Sequence, residues 1–456
     1  MNRGRRTLGP IFGRRPAEVV TWLPVLLTIW WLAILHTLIL AVNLTQRDYR
    51  YDFNVFYASA IAFRHGLNPY TADLMPIGQS LGMRFGSLIH SVDTPTALLF
   101  FIPFSFASPM KAHLIWSMLN AAGLVIALIL LIRPKYSGLS IRMALAIGAI
   151  ALLYAPITDN FIFSQRQPLI LLLLVLIMRS LDKGQEAAAG LLLALAGAYR
   201  AFPVLIAGYF AVRRQWRPLI FMGVGLVILG AVTIAGLGLT VCLSYVQGMR
   251  FAMTTFTFDP ADVALRGFLI RLYSYVFGLR MDGHLEVLQR ITIVSAQIII
   301  VALAAWPTYQ RRQQAGLDRR AFGLWVAAAI VLSPLSWIHY MLLLLIPFVE
   351  IGSAAESQKY DPRALWAAIV SYVLIAMTYR LREDLVDPIR WAHGVRYLAE
   401  GSSVALLLGF LAAYWFAVDT TLTADAGQRG HAPPVFAPPD RTPLKSFFSA
   451  LPSFFP

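Results

Sequence analysis

The sequence predicts an all-α, polytopic membrane protein, and three observations carry that expectation. Hydrophobic residues make up 58% of the 456-residue chain and charged residues only 13%, with a mean hydropathy of +0.66, far from the soluble globular average. The apolar residues fall in long runs rather than in strand-like alternation, and runs near 20 residues have the length of a bilayer-crossing helix. The basic residues behind a net charge of +15 stand in short clusters between those runs. That pattern orients loops in a membrane and needs no nucleic-acid partner. Cys242 is the single cysteine, which excludes a disulfide framework and a thiolate metal cluster.

Taken in order, Arg3, Arg5, Arg6, Arg14 and Arg15 make 1–18 a basic head that stays in the cytoplasm. The apolar run 19–42 is too long for the apolar region of a cleaved signal peptide and lacks a small-residue cleavage site, so it reads as an uncleaved first span. Residues 43–91 then lie on the outer side, with interfacial helices expected over 53–65 and 73–85 and a break at His65-Gly66-Leu67-Asn68-Pro69. The proline-bounded stretch 95–107 is too short to cross. Further spans are expected at 112–132, 143–158, 168–181, 187–199, 201–212, 218–240, 290–309, 321–333, 336–350, 364–379 and 401–418, about twelve crossings in a range of roughly 10–13. The pair 187–199 and 201–212 falls short of the ~20 residues a spanning helix needs and reads as broken or partly re-entrant. Lys and Arg are in modest excess on the segments placed inside, packed into Arg213-Arg214-Gln215-Trp216-Arg217 and 311–320, and both termini come out cytoplasmic. One membrane domain, 19–419, is therefore expected. The tail 420–456, with Pro433, Pro434, Pro438, Pro439 and Pro443, has the composition of a segment that does not pack.

The informative polar residues sit in the outer segments. Asp52 opens a stretch that continues through Phe53, Phe56 and Tyr57 to Tyr70 after the 66–69 turn; it either caps a helix starting at Phe53 or presents a catalytic carboxylate at the membrane surface. The segment 241–289 holds Arg250, Arg266, Arg271 and Arg280 among Phe251, Phe256, Phe258, Tyr273 and Tyr275. Guanidinium grips phosphate oxygens bidentately while rings sit at headgroup depth, which suits a lipid-linked phosphate; snorkelling arginines in an aromatic belt are the alternative. Arg200 interrupts the apolar hairpin 187–212, where a charge is costly unless it faces a partner or a cavity. Gln165 and Gln167, around Arg166, offer amides to sugar hydroxyls or simply form a polar loop. The last break, 333–340, contains Trp337, His339 and Tyr340; the histidine either bonds across helices or contacts phosphate or hydroxyl.

These stretches together resemble glycosyltransferase family 87, polyprenyl-phosphate-dependent and mannosyltransferase-like enzymes of the multi-spanning GT-C superfamily. The resemblance covers about Asp52 to Tyr340. Asp52 with Phe53, Tyr57 and 66–70 is similar to the family's first outer loop, 94–99 and 112–116 to its second segment, and Ser333-Pro334 with Ser336, Trp337 and His339 is the nearest match. Gln165 and Gln167 stand where the family tends to show Gly-Gln-x-Asn, Arg200 where it tends to show Lys, and the Asn-Gln-Ser that usually precedes the equivalent of Leu265-Arg266-Gly267 is missing. Those departures bear on sugar identity.

The resemblance implies a GT-C-like catalytic domain over 19–419 in a bacterial inner membrane, with its active site on the outer face. It implies transfer of a hexose, mannose before glucose or arabinose, from a polyprenyl-phosphate donor to a glycan or glycolipid acceptor. A single inverting displacement needs one base and a cationic clamp for the leaving phosphate. Asp52 is the expected base. Arg200, Arg266, Arg271, His339, Gln165 and Gln167 are candidates for the donor side, and Tyr57, Tyr70, Trp337 and Tyr340 for the cavity wall. No cofactor is expected. Metal is not required, since the first loop has no Asp-x-Asp pair, although Asp48 and Asp52 would share a helical face. A transporter or flippase for a lipid-linked sugar is the rival reading; it predicts paired broken helices in two symmetric halves, and no internal symmetry is evident.

Overall fold

A computed structural model describes residues 27–38, 51–83, 89–133, 139–259, 261–277, 283–314, 316–357, 361–385 and 400–418. The expected basic head 1–18 and proline-rich tail 420–456, with Asp48 and Arg280, lie outside the described residues. All extended regular structure among those described is helical, and an isolated antiparallel bridge joins Asp262 to Trp337.

The helices begin where local chemistry starts them. After α1 (Leu27–Leu38) come α2 (Tyr51–Arg64) and α3 (Met75–Ser80), in place of the interfacial helices expected over 53–65 and 73–85. Thr94 caps α4 (Pro95–Phe101), its hydroxyl accepting from the Ala97 amide at 3.3 Å, and a 3-10 turn at Ile102–Phe106 ends it. Prolines in the first turn, where a missing N–H costs nothing, open α5 (Pro109–Ile132). Ser140 caps α6 (Ile141–Leu152), which bends 45° into the proline-opened α7 (Ala155–Ile162). Then follow α8 (Gln167–Asp182), α9 (Glu186–Tyr199), a 3-10 turn (Phe202–Ile206) with α10 (Ala207–Val212), α11 (Trp216–Leu237) and α12 (Leu239–Thr255). The segment 241–289, expected as a loop, is largely helical, through α12, α13 (Leu265–Phe277) and the start of α14 (Gly283–Gln310). Asp318 caps α15 (Arg319–Leu332), Pro334 ends it, and the chain continues as a 3-10 segment (Ile338–Leu344), α16 (Leu345–Glu356), α17 (Pro362–Leu385) and α18 (Gly401–Val418).

Burial separates two kinds of helix. Residues 321–331 of α15 and the whole of Ile338–Leu344 are buried, so these two neighbours form the hub. By contrast α11 and α14 leave Ile220, Val227, Ile291 and Ile298 more than half exposed, apolar surface that only lipid accommodates over such lengths.

Of the roughly twelve crossings expected, the described residues show a part. Five helices among the described residues are long and apolar enough to cross: Pro109–Ile132, Trp216–Leu237, Glu286–Gln310, Ile338–Glu356 and Gly401–Val418; the bent pair α6–α7 would make a sixth. The other expected segments do fold as helices, but α8, α9 and α15 have 16, 14 and 14 residues. At ~1.5 Å rise per residue such helices fall short of the ~30 Å hydrocarbon core.

Helix α9 lies against α11 with no room between them at Gly190, where an added Cβ would meet the Pro218 carbonyl at 2.2 Å and the Met222 amide at 3.0 Å. Because both neighbours are backbone, Gly190→Val should overpack the seam and lower stability by about 1–3 kcal/mol. Thermal melting of the detergent-solubilised protein reads this, and an unchanged midpoint would mean the seam is looser than described.

Candidate active site

Three breaks in the helical run converge on one cavity of about 290 Å³. The first is the α7–α8 turn, where Ser164 adopts a left-handed φ of 52° that non-glycine residues rarely occupy. It is held there from α5: His113 Nε2 lies 2.8 Å from the Ser164 hydroxyl, and the Trp116 indole donates to its carbonyl at 2.7 Å. That turn delivers Gln165 and Arg166. The second is the extended residue Arg200, which ends α9. The third is the segment after Ser333, whose backbone is turned out of the helix ahead of Pro334 (φ −55°, ψ 139°) and which brings in Trp337, His339 and Tyr340.

Asp93, just before α4, links the first two breaks. Its Oδ1 lies 2.5 Å from Arg166 Nη2 and 3.4 Å from Arg200 Nη1. The peptide around it is tied down on both sides, since Tyr70 donates to the Asp93 carbonyl at 2.9 Å and Thr94 to the Tyr199 carbonyl at 3.0 Å. Helix α12 can approach this segment because Gly248 has no side chain: a Cβ there would sit 2.4 Å from the Ser91 carbonyl. Arg166 has no exposed surface and packs over the Phe56 ring at 4.2 Å. Arg200 keeps part of its surface open, donates to the Tyr340 hydroxyl and lies 4.9 Å from the centre of that ring, which stacks on Phe202.

Asp52 lines the same cavity from the first turn of α2 and accepts a hydrogen bond from the Gln165 amide. Burial pushes its carboxyl up to about 7, reinforced by the negative Asp93 and Asp159 and opposed by Gln165 and Arg200. A carboxylate poised there suits a general base near neutral pH. Across the cavity, His339 Nδ1 lies 3.0 Å from Asp159 Oδ2, while Asn160 donates to the His339 carbonyl at 3.0 Å. A carboxylate so placed fixes the orientation of the ring.

Of the candidate base, donor and cavity-wall residues, Asp52, Gln165, Arg200, Trp337, His339 and Tyr340 line the cavity. Tyr57, Tyr70, Gln167, Arg266 and Arg271 do not. Tyr57 donates to the Ala107 carbonyl at 2.7 Å, and Tyr70 acts on the site through the Asp93 peptide and its edge-on contact with Tyr245. Gln167 turns its Oε1 back to the Arg166 amide at 3.2 Å. Arg266 lies on α13 with a buried Nη1 that has no hydrogen-bond partner, and Arg250 is exposed on α12. Arg271 is committed elsewhere: it bonds Glu400 at 2.5 and 2.9 Å and donates to the carbonyls of Asp259 and Asp262. It staples the α12–α13 connection to the start of α18 and is not available to a ligand.

Sequence reasoning passed over Asp93, Asp159 and Asp262. An acidic residue at the end of an apolar run is itself a functional signal, and Asp159 beside the expected span 143–158 carried it. Asp262 is wholly buried and supports the third break: its Oδ1 accepts from the Ser336 amide at 2.9 Å and the Ala264 amide at 3.1 Å, and Val263 donates to the Ser336 carbonyl at 2.5 Å. Burial raises its carboxyl to about 7 against those amides.

Removing one partner of a buried ion pair strands the other, at about 3–5 kcal/mol. Arg271→Leu should therefore lower thermal stability strongly, and Arg271→Leu with Glu400→Leu should recover part of the loss. A melt of Arg271→Leu like that of the wild type would mean the pair carries no structural load.

Residues 92–334, more than half of the chain, match the model of glycosyltransferase family 87. No curated protein matches the chain. The matched region takes in Asp93, Asp159, Gln165, Arg166 and Arg200 and ends at Pro334, so the three breaks that build the cavity begin inside it. The chain belongs to glycosyltransferase family 87 and is a membrane glycosyltransferase.

Proposed function

We propose that the protein transfers a hexose, mannose first, from a polyprenyl-phosphate sugar to a glycan or glycolipid acceptor on the outer face of a bacterial inner membrane, in a GT-C-like fold of about twelve crossings, some of them broken. The observation that carries this reading is a carboxylate and a guanidinium lining one cavity, Asp52 and Arg200, together with Phe56, Phe202, Phe256 and Trp337. Family membership favours the enzyme over the transporter.

The chemistry follows from charge. Two guanidiniums, Arg166 and Arg200, share the single carboxylate of Asp93, so the cluster keeps a surplus positive charge that a phosphate can take up. Asp52 removes the acceptor hydroxyl proton, the oxygen attacks the anomeric carbon, and the bond from that carbon to the phosphate oxygen breaks. Polyprenyl phosphate leaves with its added charge facing Arg200. One displacement inverts the anomeric centre. His339, held by Asp159, is a second donor for the phosphate or for a sugar hydroxyl.

Turnover of polyprenyl-phosphate mannose, glucose and arabinose by the purified protein tests the donor class. In Asp52→Asn, transfer should fall about 10²- to 10⁴-fold, the usual contribution of a general base, with expression unchanged; normal turnover would remove Asp52 from the mechanism. Because the base works only when deprotonated and its carboxyl is raised to about 7, kcat/KM should be low in acid, rise through neutrality and level off above it. A flat profile between pH 5.5 and 8.5 would contradict that assignment. Arg200→Ala should raise the donor KM, and Arg200→Lys should keep part of the activity, since charge survives without the planar fork.

A further inference from the structure

The mechanism above uses Asp52 and Arg200 and leaves Asp93 without a task. Yet Asp93 is the most heavily constrained acid in the cavity wall. Arg166, with no exposed surface, reaches its Oδ1 at 2.5 Å; Arg200 reaches the same oxygen only at 3.4 Å. Its carbonyl is held by Tyr70, and the neighbouring Thr94 is tied to the peptide immediately before Arg200. A counter-ion for Arg166 alone would need none of this registration with Arg200.

We propose that Asp93 is a positioning residue: clamped by Arg166, it holds the Arg200 guanidinium against the cavity and keeps a fixed negative charge beside Asp52. The division of contacts gives the reason. The short pair with Arg166 is sealed and permanent, whereas the longer contact to Arg200 orients that side chain without neutralising it, so an incoming phosphate can take over. Without Asp93, the direct contacts left to Arg200 are the Tyr340 hydroxyl and ring. The same charge acts on Asp52. The groups acting on Asp52 are Gln165 and Arg166 from the α7–α8 turn, Asp159 with its partner His339, Arg200 from the end of α9, and Asp93; His113 of α5 packs edge-on against Phe53, next to it in α2. Among the charged members, Asp93 has the largest influence, and it acts to keep Asp52 protonated to higher pH.

This rests on the proposed reaction for its donor readout but not for its second readout. Carbodiimide reacts with protonated carboxyl groups, so the pH dependence of labelling at Asp52, read by mass spectrometry on the purified full chain without substrate, reports its protonation directly. Labelling should persist to near neutral pH in the wild type. In Asp93→Asn its midpoint should move to lower pH, and the donor KM should rise about tenfold, as expected for one lost charge-assisted contact. Where Asp93→Asn alone fails to fold because Arg166 is stranded, Asp93→Asn with Arg166→Gln removes the pair together and should show the same rise in donor KM, with a smaller fall in the Asp52 midpoint because the Arg166 charge that favours ionised Asp52 is lost with it. An Asp52 midpoint and a donor KM unchanged in whichever variant folds would overturn the proposal, as would failure of both variants to fold, since Asp93 would then be holding the fold. Should the wild type use no polyprenyl-phosphate sugar while the labelling shift appears, the donor reading fails and the role of Asp93 stands.

Discussion

A guanidinium with no exposed surface is tolerable only beside a counter-charge, and the site is organised around that constraint. Arg166 is sealed among Phe56, Phe101 and Tyr199, with ring centres at 4.2, 5.9 and 5.3 Å, where an unpaired charge would be prohibitive. Asp93 neutralises it, and through Asp93 the α7–α8 turn, the segment ahead of α4 and the end of α9 are brought into one register. Those three pieces lie far apart in sequence. What holds them together is a buried ion pair at the edge of the cavity.

Proline and capping chemistry explain why there is a cavity at all. Uninterrupted apolar helices would pack side by side and leave no polar room between them. Here Pro156, Pro168, Pro203 and Pro334 start or stop helices within the apolar mass. Each break frees backbone groups that must be satisfied, and it exposes a few side chains at depth. The cost is met by named contacts: His113 and Trp116 on Ser164, Asn160 on the His339 carbonyl, and Asp262 on the Ser336 amide. The same contacts that satisfy the breaks aim Gln165, Arg200 and His339 into shared space.

The acidic residues divide by environment into structural and chemical groups. Glu400 takes a bidentate guanidinium, a tyrosine and a serine, which leaves it nothing to offer a ligand. Asp262 spends one oxygen on two backbone amides and fixes the wall behind Trp337. Asp52 has a single side-chain amide on one oxygen and an open cavity in front of it. Asp52, the acid proposed as the base, is thus less committed to the fold than Glu400 or Asp262.

Composition and run length determined that the chain is helical and belongs in a membrane, because only lipid and a helix can accommodate so many apolar residues in such stretches. Local chemistry also marked Asp52, Arg200 and the 333–340 break, since charge and proline within apolar runs are conspicuous in one dimension. The number of crossings was not legible: a 14-residue apolar run such as α9 or α15 has the same pattern whether it spans, re-enters or lies wholly in the core. Arg271 and Arg200 also look alike in sequence, each an arginine beside apolar and aromatic residues. Only the folded chain brings Glu400 to the first and leaves the second at a cavity, and only there does Asp93 meet two arginines from different turns. Pairing partners lie 73 and 107 residues from Asp93, and charge complementarity across such separations depends on packing that no local pattern encodes.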